Sequence, residues 1–202
     1  WCETGTPDLA FAKAFADALP HSRSGRLAAI ATRDPARPGL AERFPGARIH
    51  AGYEAMLGDP EVEAIYIATP HPAHAEWAIK AAEAGKHVLC EKPIALSAEE
   101  AGTLRAAAAQ VRIEEAFMVR HHPQWQRVRE LVRAGRIGTP RAVQVFFSYF
   151  NDDPANIRNR PEFGGGALLD IGCYAVDLSR MLFGAEPTAV AGYPAMTIPA
   201  GF

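Results

Sequence analysis

Residues 84–96 read A-G-K-H-V-L-C-E-K-P-I-A-L and predict a short strand that stops at a charged pair and a proline. His87–Cys90 carry β-forming residues, and Pro93 can neither donate a ladder hydrogen bond nor sit inside a central strand. Lys92 is therefore expected at the carboxyl end of a strand, the edge at which open α/β sheets bind ligands. A lysine on a rigid turn there can bridge a substrate oxygen and a cofactor. From this stretch alone, a solvated surface Glu91–Lys92 pair remains the alternative.

Strands and helices alternate on both sides of this stretch. Continuous apolar runs are typical of buried parallel strands, and apolar residues at helical spacing predict the segments between them. Such alternation favours a right-handed βαβ series with a parallel sheet. The predicted elements are a helix over Asp8–Leu19, a strand over Arg26–Thr32, a helix carrying Leu40 and Phe44, a strand over Val62–Ala68, a helix over Ala73–Ala84 capped by Gly85, the strand His87–Cys90, a helix from the capping box at Ser97 to Gln110, and a strand over Ile113–Met118.

The pattern changes from Pro123 onward and predicts a second domain. We expect one domain over residues 1–120 and the start of an α+β domain over residues 121–202. Two strands are marginal on their own, so we expect a partner or further sequence to complete this sheet. The predicted elements of the second half are a helix ending at Ala134–Gly135, a strand over Arg141–Phe150, a helix over Ala167–Phe183 after three glycines, and a strand beginning at Thr188–Tyr193.

The composition indicates an ordinary globular chain. It has 202 residues, of which 49% are hydrophobic and 22% charged, with a formal net charge of -2. This charge gives no reason to expect nucleic acid or an anionic membrane as a partner, and no apolar run is long enough to span a membrane. Three widely spaced cysteines, Cys2, Cys90 and Cys173, favour reduced thiols in the cytoplasm. None has a partner at metal-ligand spacing, so no metal is expected.

Three motifs in order carry a family resemblance: Glu91–Pro93, Ala68–His74 (A-T-P-H-P-A-H) and Gly164–Tyr174 (G-G-G-A-L-L-D-I-G-C-Y). Over about residues 26–193 the sequence resembles the glucose-fructose oxidoreductase, inositol dehydrogenase and MocA family. The resemblance implies a Rossmann-like, doubly wound parallel sheet followed by an α+β domain, here truncated, with an open and mostly antiparallel sheet. In the family that second sheet faces the cofactor and usually mediates oligomerisation, so a homo-oligomer, a dimer or larger, is expected.

The glycine fingerprint of dinucleotide binding is altered in this chain. Family members begin with an apolar strand and a G-x-G-x-x-G/A turn, in which the second glycine lets the backbone approach the pyrophosphate. Here Gly5 and Ala10 fill the first and third places, but Pro7 replaces the middle glycine, and Trp1–Thr4 is short and polar for a central strand. Gly5, Thr6 and Ala10 are the cofactor-binding candidates; a frayed terminus is the structural alternative.

The other cofactor-binding candidates follow predicted strands. Thr32 and Arg33 lie at the end of the predicted strand Arg26–Thr32, the second strand of the family pattern. An arginine at this position can pair with the 2′-phosphate of NADP. This favours NADP, with NAD as the other option, although an arginine in a solvated Asx-Pro turn would look the same. By resemblance, the loop after the next strand lies along the nicotinamide half of the cofactor, so its histidines receive binding roles only. The remaining candidates are Thr69, Pro70, His71, His74, Glu91 and Lys92.

Asp170, Tyr174 and Asp177 are spaced i, i+4 and i+7, which predicts that they share one face of a helix. A buried carboxylate or phenol needs a hydrogen-bond partner, and a purely structural Asp-Tyr pair is the alternative. The Asp-Ile-Gly-x-Tyr context and the loop Phe147–Arg158 resemble the sub-group of dimeric dihydrodiol dehydrogenases and NADP-dependent xylose dehydrogenases.

The function implied is an NADP-dependent dehydrogenase that moves a hydride between nicotinamide and a sugar or cyclic polyol. Tyr174 would be the general acid/base, and Lys92 would hold the reacting oxygen and depress the tyrosine pKa. Asp170 would orient the substrate or Lys92. Two alternatives stay open: a trans-dihydrodiol as substrate, and a non-catalytic remnant that cannot hold the dinucleotide because of Pro7.

Overall fold

The computed structural model describes residues 9–192, so the predicted turn at Gly5, Thr6 and Pro7 lies outside the described residues. The chain forms two compact units. One runs up to Met118 and includes Phe147–Cys173, and the other comprises Val119–Phe146 and the chain from Tyr174 onward. The predicted domain boundary after residue 120 stays a prediction. No helix among the described residues is long and apolar enough to cross a membrane.

The first unit is a parallel α/β structure, as predicted. Its strands form a pair β1-β2 and a three-stranded sheet in the order β3-β4-β5, and every pairing is parallel. The strands are β1 Ala29–Thr32, β2 Arg48–Ala51, β3 Ala64–Ile67, β4 His87–Cys90 and β5 Ile113–Glu115. The helices of the described chain are α1 Leu9–Ala18, α2 Leu40–Arg43, α3 Tyr53–Leu57, α4 His74–Glu83, α5 Ala98–Ala107, α6 Pro123–Arg133 and α7 Cys173–Phe183.

The two sheets are joined by side-chain packing. Ala12 and Ala16 of α1 pack in one cluster with Ile30 of β1 and Tyr66 of β3. Beside this cluster, a cavity of about 470 Å³ is lined by residues of both strands, including Ala29 and Ile65. Because buried apolar area is the main stabilising term, helix α1 holds the two sheets together at this point.

Helices α4 and α5 show why the predicted elements form. The small residues Ala75, Ala78 and Ala81 of α4 are buried in the core that contains β3 and β4. Gly85 ends this segment with a positive φ of 74°, as expected for a helix C-cap. Ser97 is the N-cap of helix α5, and its Oγ accepts a hydrogen bond from the backbone N of Glu100 at 3.1 Å. The Ser97 half of the predicted capping box is confirmed, whereas the Glu100 carboxylate accepts from the backbone N of Leu96 at 2.7 Å.

Strand β2 was not predicted, because it carries a polar sequence and is largely exposed at the edge of its sheet. The side chain of Asp59, which lies outside the sheet, holds this strand in place through two of its residues. The Asp59 carboxylate accepts hydrogen bonds from Arg48 Nε at 3.0 Å and lies 2.9 Å from His50 Nε2. Edge strands need no apolar run, so periodicity does not reveal them.

The strands predicted at Arg141–Phe150 and Thr188–Tyr193 are wrong for the described residues, which form no strand there. The side chains of Phe146 and Phe150 are 89% and 87% exposed. A strand exists through ladder hydrogen bonds to a neighbour, and among the described residues no strand pairs with either segment. An apolar β-forming sequence therefore does not suffice to make the antiparallel sheet.

The helix predicted over Ala167–Phe183 is two elements. Residues Leu168–Gly172 are π-helical, and only Cys173–Phe183 is α-helical. Before them the chain turns tightly at Gly165, whose N donates to the carbonyl oxygen of Arg160 at 3.0 Å. The π-helical residues carry Asp170, and such segments often lie at functional sites.

We predict that Gly165→Ala destabilises the first unit by about 1–3 kcal/mol, because a close-packed backbone would have to move. A Cβ at this position would lie 2.7 Å from the carbonyl oxygens of Arg158 and Arg160. The control is Gly102→Ala in α5, which is exposed and meets nothing within 4 Å. It should gain up to about 1 kcal/mol from helix propensity. Urea unfolding measures both, and equal stability of the two variants would contradict the prediction.

Candidate active site

Lys92 lies two residues beyond the carboxyl end of β4 and is buried, with 9% of its surface exposed. Its Nζ donates to the backbone carbonyl oxygen of Asp170 at 2.6 Å and lies 3.1 Å from Asp170 Oδ1. The alternative of a solvated surface pair is therefore wrong. A buried lysine with these contacts is a fixed positive charge at the ligand-binding edge of the sheet.

Asp170 gathers further donors around Lys92. Its Oδ2 accepts a hydrogen bond from the Tyr149 hydroxyl at 2.6 Å, and its Oδ1 accepts one from Arg158 Nε at 3.2 Å. Burial raises the pKa of the Asp170 carboxyl, but the Tyr149 hydrogen bond, Lys92 and Arg158 outweigh it, so the pKa lies below its usual value. The same hydrogen bond to Asp170 raises the pKa of Tyr149. Asp170 is thus a carboxylate and Tyr149 a neutral phenol at pH 7.

Tyr149 and Arg158 were not predicted as site residues. Both lie in the loop Phe147–Arg158, which carries part of the family resemblance but shows no periodic pattern. One sequence feature could have identified Arg158: it is a cationic residue in a polar loop just before the helix that carries the buried carboxylate of Asp170. From the sequence alone, however, this feature does not show which cation pairs with which carboxylate.

The turn that carries Lys92 is held by side chains from several elements. The backbone N of Ile94 donates to Glu115 Oε1 at 2.8 Å, and that of Leu96 donates to Glu100 Oε2 at 2.7 Å. Glu91, a cofactor-binding candidate, accepts a hydrogen bond from the Tyr66 hydroxyl. The Lys92 side chain therefore starts from a backbone with little freedom to move.

The loop after β3 places Thr69, Pro70 and His71 beside this turn. Thr69 Oγ1 and His71 Nδ1 are buried and have no hydrogen-bond partner among the described residues. Burial, followed by the charges of His74 and Lys92, lowers the pKa of His71, so its ring is neutral at pH 7. A cavity of about 40 Å³ is lined by Ala68, Thr69, His71, His74, Glu91, Lys92, Ile157 and Arg158. Buried polar atoms without partners fit a polar ligand group, such as the nicotinamide half of a dinucleotide.

The candidates at the end of β1 lie elsewhere. Thr32 is buried, and its Oγ1 accepts a hydrogen bond from the backbone N of Asp34 at 3.1 Å. Arg33 is exposed immediately after β1, and neither residue lines the cavity beside Lys92. Ala10 lies in the first turn of α1. The structure therefore brings together the candidates of the β3 and β4 loops but not those of β1.

The single helix face predicted for Asp170, Tyr174 and Asp177 is interrupted. Asp177 has its own partner, because Arg120 Nε lies 2.9 and 3.0 Å from its two carboxylate oxygens. Tyr174 is half-buried at the second position of α7 and belongs to the second compact unit. The π-helical residues change the rotation per residue, so regular α-helical spacing does not apply from Asp170 to Asp177. The role of Tyr174 stays a prediction.

Named relatives of the chain are oxidoreductases. An uncharacterized oxidoreductase of Rhizobium meliloti is 48% identical over 167 residues, which cover 81% of this chain and 50% of that protein. D-xylose 1-dehydrogenase (NADP(+)) 2 of Haloferax volcanii is 42% identical over 161 residues, 78% of this chain and 49% of that protein. A crystal structure of a 3-ketoreductase from Actinomadura kijaniata in complex with NADP and TDP-benzene matches with a TM-score of 0.77 and 36% identity, covering 87% of this chain and 55% of that one.

These matches extend over only part of each relative, and the chain spans about half the length of the curated relatives it matches. Family models match both halves of it. The model described as the oxidoreductase family with an NAD-binding Rossmann fold matches residues 8–121, more than half of the chain. The model of the GFO/IDH/MocA C-terminal domain matches residues 125–200. The predicted resemblance is confirmed, and the chain belongs to the GFO/IDH/MocA oxidoreductase family.

Proposed function

We propose that this chain is part of an NAD(P)-dependent oxidoreductase that moves a hydride between nicotinamide and a CH–OH or carbonyl carbon of a sugar or cyclic polyol. The observation that carries the proposal is the buried Lys92 ammonium, held by Asp170 beside Thr69 Oγ1 and His71 Nδ1, for which the described residues supply no hydrogen-bond partner. The family and its relatives, a sugar dehydrogenase and a 3-ketoreductase, support it.

The cofactor proposed is NADP, which would supply the hydride acceptor or donor. Thr69 and His71 would contact its nicotinamide half, because Thr69 Oγ1 and His71 Nδ1 are buried at that sheet edge with no partner in the part of the chain that the structure describes. Arg33, exposed after β1, would pair with the 2′-phosphate. The relative from Haloferax volcanii is named as NADP-dependent, which supports this preference.

The substrate chemistry is assigned to three side chains. Lys92 would donate a hydrogen bond to the reacting oxygen and stabilise negative charge on it. Asp170 would keep the ammonium aimed, since its carboxylate and its backbone carbonyl both accept from Lys92. Tyr174 would exchange the proton of the reacting hydroxyl. A phenol of ordinary pKa near 10 needs a nearby cation for this work at neutral pH, and we assign this role to Lys92.

A second substrate class has one observation in its favour. A trans-1,2-dihydrobenzene-1,2-diol dehydrogenase of Xenopus laevis is 32% identical over 191 residues. Both classes present adjacent hydroxyl groups and need the same hydride chemistry. A panel of aldoses, inositols and aromatic dihydrodiols separates them, because only the accepted class gives NADPH formation.

The assembly proposed is a cytoplasmic homo-oligomer. The segment 145–150 exposes large apolar side chains, which a neighbouring subunit or further sequence would cover. Cys90 and Cys173 are free thiols, as is typical of a reducing compartment.

We predict that the chain binds NADPH more tightly than NADH and that Arg33→Ala removes most of this preference. A lost charge-assisted contact to the phosphate would weaken NADPH binding by about tenfold or more, leaving NADH unchanged. Nicotinamide fluorescence titration measures both affinities, and Arg37→Ala is the control on the same loop. Equal losses for NADPH and NADH would contradict the role of Arg33. Failure of the folded chain to bind either dinucleotide would favour the non-catalytic remnant.

We further predict that Lys92→Ala and Tyr174→Phe each lower turnover by about 10²–10⁴-fold, the usual contribution of a positioned proton-transfer group. NADPH affinity should remain within a few-fold, because neither side chain is assigned to the phosphates. Lys80→Ala is the control, since the described contacts of Lys80 are to Glu76 and to the Trp77 ring, both on α4 and away from Lys92. Normal turnover in either folded variant would overturn its assignment.

A further inference from the structure

His74 is the first residue of α4 and is almost fully buried, with 1% of its surface exposed. Its Nε2 lies 2.6 Å from the carbonyl oxygen of Thr69, and its Nδ1 lies 2.7 Å from the carbonyl oxygen of Pro93. One ring thus connects the loop after β3 to the turn after β4. These are the two loops that carry Thr69, His71 and Lys92.

Both partners of the His74 ring are carbonyl oxygens, which accept hydrogen bonds and cannot donate them. A neutral imidazole carries one N–H, so it can satisfy only one of these oxygens. Its other nitrogen would then direct a lone pair at a carbonyl oxygen 2.6 or 2.7 Å away, which is repulsive. Only the imidazolium form has two N–H donors and satisfies both contacts.

The surroundings of the ring act on its charge in both directions. Burial lowers the pKa of His74, because the charged ring loses its hydration. The two carbonyl oxygens and the carboxylates of Glu91 and Glu100 favour the cation. The other titratable ring facing it is that of His71, whose centroid lies 5.7 Å away. Together these influences leave the pKa of His74 below its usual value, with burial as the largest cause. The two acceptor oxygens at 2.6 and 2.7 Å nevertheless require two N–H donors, so the geometry calls for the charged ring despite the cost of its burial.

We propose that His74 is a positioning residue that, as an imidazolium, clamps the Thr69 and Pro93 carbonyls and thereby fixes the backbone from which Lys92 reaches Asp170. Pro93 follows Lys92 directly, and its carbonyl belongs to the Pro93–Ile94 peptide group, so holding it fixes the turn immediately after the lysine. Holding the Thr69 carbonyl keeps the buried Thr69 hydroxyl and His71 ring at the same cavity. The importance of the clamp for catalysis rests on the proposed function, but its geometry does not.

Two measurements that need no turnover test the clamp. Proton-detected ¹⁵N spectra of the histidine rings in the unmodified chain at pH 6.5 should show both nitrogens of His74 protonated. Reductive methylation with mass-spectrometric readout should show Lys92 reacting at least tenfold faster in His74→Asn, whose side chain cannot hold both carbonyls. His87→Gln is the control, because His87 is exposed in β4, and its Lys92 should react as in the unmodified chain.

A ring of His74 with one unprotonated nitrogen at pH 6.5 would overturn the clamp, as would unchanged Lys92 reactivity in folded His74→Asn. If His74→Asn does not fold, the ring spectra of the unmodified chain still decide. Where the chain turns over substrate, His74→Asn should lower kcat at least tenfold while the Kd for NADPH changes less than threefold. Absence of turnover in the unmodified chain would count against the proposed function and leave both clamp measurements valid.

Discussion

The buried contact of Lys92 with Asp170 is the interaction on which the described site depends. It joins residues 78 positions apart in sequence and connects the end of β4 to the π-helical segment before α7. Removing charges from water is unfavourable, so a buried pair persists only when its hydrogen-bonding capacity is satisfied. Tyr149 and Arg158 supply this satisfaction at Asp170. Burial of the lysine is therefore possible because a loop with no regular strand contributes two more donors.

The parts of the fold that were predictable are those with local signals. Strand β4 follows from a short apolar run that Pro93 must end, and α5 follows from its capping box. Strand β2 has no such signal, because an edge strand with a polar sequence is fixed by Asp59 and by its pairing with β1. The segment 141–150 shows the converse. Its apolar sequence is typical of a strand, but strand formation requires a partner that the described residues do not supply.

The same distinction applies to the site. Lys92 could be predicted because a proline fixes where its strand ends, and Asp170 because a carboxylate within an apolar helix needs a partner. Tyr149 and Arg158 could not, since a loop residue finds its partner only through tertiary contact. Asp177 looked equivalent to Asp170 by spacing, yet Arg120 holds it. The π-helical turn changes the rotation per residue, so i, i+7 spacing no longer places the two carboxylates on one helix face.

The two histidines of the β3 loop differ in the hydrogen bonds that their rings make. They are three residues apart and look interchangeable in sequence, but His74 has both nitrogens engaged with carbonyl oxygens, whereas His71 Nδ1 has no partner among the described residues. A ring with all its bonds made cannot also bind a ligand without giving one up. Under the proposed function, ligand recognition at this loop would therefore belong to His71 and Thr69, and His74 would keep their polar atoms at a fixed distance from Lys92.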